Sequence, residues 1–89
     1  LEATGLEIDI GKVYMSEHAK KRAYQIFNIN PNQALPYFRS VLKKANYIGI
    51  SKGGHLFTFN RIAIVLSPNY RSIVTVMLNY RRKQTLRKM

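Results

Sequence analysis

The chain has 89 residues, 46% hydrophobic and 21% charged, which suits one small domain with a modest core. It has no cysteine, so disulfide scaffolds, zinc ribbons and thiol catalysis are excluded. All four carboxylates (Glu2, Glu7, Asp9 and Glu17) lie in the first 17 residues, which carry −3, whereas the other 72 carry +14, so chemistry built on converging carboxylates is excluded from the main body.

Residues 1–12 form an acidic, glycine-punctuated leader, expected to be flexible or laid across the domain as an extended segment. A single domain is expected over 13–80, followed by a basic tail at 81–89. Val13–Met15 is a short apolar stretch, and Ser16 then offers a helix N-cap with Glu17 in the first turn. Ala19, Ala23, Ile26 and Phe27 recur at helical spacing, which predicts an amphipathic helix over about 16–28. Its other face carries His18, Lys21, Arg22 and Gln25.

The cluster Asn28-Ile29-Asn30-Pro31-Asn32 predicts a turn, and Ala34, Phe38, Val41, Leu42 and Ala45 then mark a second helix ending near Asn46. Pro36 is tolerated there if Asn32 is the N-cap, and kinks the helix otherwise. From Tyr47 the period changes. Tyr47–Ile50, His55–Phe59, Ile62–Leu66 and Ile73–Leu78 read as four strands joined by short turns. The fold class is therefore α+β: two N-terminal helices packed on one face of a four-stranded antiparallel meander.

No apolar run approaches the ~18–20 residues that cross a membrane, and no secretory leader is legible, so a soluble, cytoplasmic protein is expected. No nucleotide-binding glycine signature occurs, and outside the leader only His18 and His55 could ligate a metal, so neither cofactor nor metal is expected. A body this one-sided in charge attracts polyanions and speeds their encounter. Lys21, Arg39, Lys43, Lys44, Arg81, Arg82, Lys83, Arg87 and Lys88 are the candidate nucleic-acid contacts.

Metal-free RNA cleavage needs a base for the 2′-hydroxyl, an acid for the leaving oxygen and cations on the phosphate. His18 and Arg22 lie one helical turn apart, so both can reach one phosphate. Arg61, in a tight turn, and Tyr80, after the last strand, complete the candidate catalytic set. Each has a structural alternative: His18 a hydrogen bond to a neighbouring strand, Arg22 a carboxylate of the leader, Tyr80 packing at a sheet edge. His55 beside Gly53-Gly54 reads as an exposed turn residue, and Phe57 and Phe59 read as core in preference to base-stacking platforms.

The run Ser16-Glu17-His18-Ala19-Lys20-Lys21-Arg22, with Leu42-Lys43-Lys44-Ala45 and the closing Ser72-Ile73-Val74-Thr75-Val76, resembles the RelE/BrnT-like group of small toxins and their phage look-alikes over about residues 13–80. The resemblance implies a metal-independent endoribonuclease acting on RNA, often on the ribosome, and neutralised by an acidic antitoxin or inhibitor protein. Two other functions suit the charge: a non-catalytic nucleic-acid-binding phage or ribosome-associated protein, and a basic protein that docks an acidic protein partner.

Overall fold

In the computed structural model, residues 2–3, 6–51 and 53–79 are described. In chain order they form β1 (Glu2–Ala3), β2 (Leu6–Glu7), a 3-10 turn (Ile10–Lys12), β3 (Tyr14–Met15), α1 (Glu17–Phe27), α2 (Pro31–Leu42), β4 (Asn46–Ser51), β5 (Gly54–Phe59), β6 (Ile62–Leu66) and β7 (Ser72–Leu78). β1 and β2 pair as a small antiparallel ladder of their own, while the main sheet has the order β3-β7-β6-β5-β4. The class is α+β, but the expected sheet is corrected. It has five strands and is mixed, because β3 precedes the helices and pairs in parallel with β7, Tyr14 opposite Ser72 and Met15 opposite Ile73.

Ile8 and Ile10 of the leader are buried in the same core as Val13 and Met15. Asp9 caps the intervening turn by accepting from the Gly11 amide at 3.1 Å.

α1 begins as its sequence demands. The Ser16 hydroxyl accepts from the Ala19 amide at 3.0 Å, and Asn28 closes the helix in the left-handed conformation. α2 begins two residues earlier than expected. Asn30, not Asn32, is the N-cap and Pro31 takes the first helical position, where a missing N–H costs nothing. Pro36 consequently lies inside the helix and cannot bond the Asn32 carbonyl. Both residues are exposed, so the freed carbonyl lies on the solvent side. The helix ends at Leu42 instead of running to Asn46.

The helices cover one face of the sheet. Ala19, Ala23, Ala34, Phe38 and Leu42 meet Phe57, Ile64, Leu66, Ile73 and Val76, with Phe59 and Ile62 packed against them. Phe57 is fully buried there, so the core alternative holds and neither phenylalanine offers a free stacking platform. Burying a side chain as large as Phe38 or Phe57 contributes about 1.5–3 kcal/mol by apolar area. A smaller apolar cluster, Leu56, Ala63 and Val65 with Val74 and Met77, forms on the opposite face, as the period-two alternation of β5 and β6 requires. Gly54 is fixed by space: a Cβ there would run into the Leu66 carbonyl and sit 2.9 Å from Val65 Cγ1.

Candidate functional site

The site begins with Ser16. Its hydroxyl, besides capping α1, donates to the Val74 carbonyl at 3.3 Å, and its amide donates to the Ile73 carbonyl at 3.1 Å. These bonds seat the first turn of α1 against the outer side of β7, immediately beyond the two residues that β3 pairs. His18, Arg22 and Ile26 recur every fourth residue, so they form one row along the helix. That row and Val74, Thr75, Met77 and Leu78 of β7 line an open groove of about 680 Å³. Its size is within the ~300–1,000 Å³ of ordinary ligand clefts.

The groove has a cationic and an apolar component and no carboxylate. His18 is exposed and Arg22 half-buried, and among the described residues neither has a hydrogen-bond or ion-pair partner. The only ion pair among these residues is Lys20 with Glu17 at 3.4 Å, on the exposed side of α1. Among the described residues, none of the five guanidinium donors of Arg22 is engaged. Thr75 adds a hydroxyl whose own bond, to the Val76 carbonyl, is long at 3.5 Å. A phosphate with a base or sugar attached matches this lining: charge-assisted donors for the anion, an apolar wall for the remainder.

The other sequence-predicted residues go elsewhere. Lys21 is exposed on α1, three residues from His18 and outside the groove lining. Arg39 is turned inward: its Nε and one terminal nitrogen donate to the Val13 carbonyl at 2.9 and 2.7 Å, tying α2 to the entry of β3. That fork is a fold contact, not a free phosphate ligand. Lys43 and Lys44 are exposed after α2, with Lys44 Nζ 5.8 Å from the centre of the Phe59 ring. Arg61 is exposed in the β5–β6 turn, where its carbonyl accepts from the Asn79 amide at 2.9 Å, and it does not line the groove. Tyr80, Arg81, Arg82, Lys83, Arg87 and Lys88 lie outside the described residues.

Thr75 was missed from sequence. Its one signal was a lone hydroxyl in an otherwise apolar strand. A second polar cluster was missed altogether, because its members are far apart along the chain. His55 is not a turn residue; it lies in β5, half-buried, with both ring nitrogens engaged. Nε2 is 3.3 Å from the Pro68 carbonyl, which can only accept, so the proton is on Nε2. Nδ1 is hydrogen-bonded with the Tyr47 hydroxyl at 3.0 Å. Tyr70 stacks on the imidazole at 4.0 Å and 14°. Desolvation, reinforced by the Tyr70 hydroxyl, pushes the Tyr47 phenol above its ordinary pKa.

Tyr70 has φ +62°, an uncommon conformation for a bulky residue. A hydrogen-bonded turn enforces it: the Tyr70 amide donates to the Ser67 carbonyl at 2.8 Å, and Asn69 Oδ1 accepts from both Ser67 Oγ and the Arg71 amide.

Among known proteins, the chain matches no family model, no curated protein and no solved structure. Among the described residues no group of three or more His, Asp or Glu could hold a metal, and no helix is long and apolar enough to cross a membrane.

Proposed function

We propose that the protein is a small basic RNA-directed protein, a metal-independent endoribonuclease of the RelE/BrnT-like kind, acting in the cytoplasm through the α1–β7 groove. One observation carries this: His18 and Arg22 converge on an open groove where, among the described residues, no carboxylate pairs with either. His18 takes the proton of a 2′-hydroxyl. The 2′-oxygen then bonds to the adjacent phosphorus as the bond to the 5′-oxygen breaks, and that oxygen leaves with a proton from water. Arg22 offsets the charge that accumulates on the crowded phosphate, and the apolar side of the groove takes the flanking base. The products are a 2′,3′-cyclic phosphate and a 5′-hydroxyl. Arg61 does not line the groove and Tyr80 lies outside the described residues, so the step is proposed without either.

The test is incubation of the protein with total bacterial RNA, with and without translating ribosomes, in the presence of a chelator. Discrete fragments are expected, lost in His18→Ala and Arg22→Ala while RNA binding stays within a few-fold. Retarded but intact RNA would replace catalysis with binding. Parallel loss of binding and cleavage in both variants would remove the catalytic assignment.

A further inference from the structure

The main sheet has two edges, and they are finished differently. On one side β7 is covered by the two-residue β3 and then by α1. On the other side, among the described residues, β4 pairs only with β5, and its outer row of backbone groups is unpaired within the sheet. Natural edges are guarded by charged residues, proline, strong irregularity or brevity. β4 is six residues long, Asn46-Tyr47-Ile48-Gly49-Ile50-Ser51, with neither charge nor proline, in a chain with 15 Lys and Arg.

Its single device is a bulge between Tyr47 and Gly49. Gly49 takes φ +147° there, and a Cβ at that residue would meet nothing within 4 Å. The strand also presents its isoleucines outward. Ile50 is 81% exposed and Ile48 38%, among the largest exposed apolar side chains of the molecule.

We propose that β4 is a docking edge for an extended, acidic segment of another protein, which adds as a further strand beside it. Backbone bonds to the free edge supply affinity, and apolar side chains at alternate positions of the incoming strand cover Ile48 and Ile50. Charge selects the partner. Lys43 and Lys44 stand exposed just before the strand, and no carboxylate occurs anywhere after Glu17. An acidic segment meets attraction along the whole approach. A second copy of this chain does not, since residues 18–89 of each copy carry +14. The inference does not depend on RNA cleavage, because β4 contributes nothing to the groove.

The probe is a short synthetic peptide of alternating valine and threonine with paired glutamates at both ends. Its controls are the same peptide with a central proline and one with lysines for the glutamates. Titration into the isotope-labelled protein is expected to shift β4 amides and slow their hydrogen exchange, with a Kd of roughly 10–500 μM. Salt should weaken it, neither control should bind, and Ile50→Lys should cost tenfold or more. Because Ile50 is exposed, that variant should keep the wild-type spectrum outside β4. Should it misfold, the proline peptide tests the edge without any substitution. The proposal is overturned if the acidic peptide fails to bind at ~1 mM, or if the proline peptide binds equally well. It is equally overturned if β4 is protected by self-association that Ile50→Lys abolishes, which would make the occupant a second copy.

Discussion

The molecule holds two histidines in two opposite settings. His18 stands exposed in the first turn of α1, over an open groove and beside an arginine that has no partner among the described residues. His55 lies in β5 with one nitrogen on a backbone carbonyl, the other on a phenol, and an aromatic ring stacked on its face. The first has its hydrogen-bonding capacity available, and the second has spent it on the fold. The same side chain thus serves chemistry or structure according to whether its polar atoms are already satisfied.

Exchanging each histidine separates the two settings most sharply. His18→Ala should lower RNA cleavage about 10²–10⁴-fold. Its thermal unfolding should stay within about 0.5 kcal/mol of wild type, because an exposed side chain is removed. A comparable loss of stability and activity would place His18 with the fold. His55→Ala should do the reverse. It leaves the Tyr47 hydroxyl and Pro68 carbonyl without their partner and Tyr70 without its stack, at a cost of about 1–3 kcal/mol. In a domain of this size each kcal/mol lowers the melting temperature by about 4–8 °C. Cleavage per folded molecule should be unchanged, and calorimetry beside a fluorescent-RNA assay reads both.

Arg39→Met extends the contrast to the arginines. Losing two bonds to the Val13 carbonyl should cost about 1–2 kcal/mol in urea unfolding, with RNA affinity retained. Arg22→Met should leave stability nearly unchanged and lose cleavage instead.

The smallest effect concerns pH. A phenol whose folded-state pKa is raised holds its proton more tightly when folded. Its contribution is complete below the unfolded value near 10 and fades as pH rises through the folded one. Tyr47→Phe should be less stable than wild type at neutral pH and show a shallower alkaline decline. Matched urea titrations at pH 8 and pH 10.5 measure the difference, and parallel declines would assign that limb to the lysines.

Much of the helical layer was legible because its signals are local. Ser16 capped α1 as its hydroxyl and position require, and the recurrence of Ala19 and Ala23 named the buried face. The start of α2 is conditional in the sequence, with Asn32 the one cap considered. Pro31 decides for Asn30, because proline favours the first helical position over one that must donate. β3 was not legible as a strand. It is two residues long, and its only partner lies 58 residues further along the chain. Pairing of that kind leaves no periodicity to read.

For the candidate site, spacing alone joined His18 to Arg22, since residues four apart on a helix share a face. Nothing in the sequence joined them to Thr75 or Met77, because that meeting depends on where α1 is seated, and Ser16 bonding to β7 seats it. Arg39 shows the opposite error. A cation on the polar side of a helix reads as free until a distant carbonyl, here Val13, comes within its reach.

The sequence by itself determined the α+β class, the two helices with the Ser16 cap of the first, the four long strands, and the segregation of charge that leaves a body of +14. These follow from periodicity, capping chemistry and counting, all of which act over a few residues or over none. Only the tertiary structure decided which cations are free and which are bound, which histidine is available, and which edge of the sheet is left open. Those properties belong to pairs of groups far apart in the chain, and folding alone brings the pairs together.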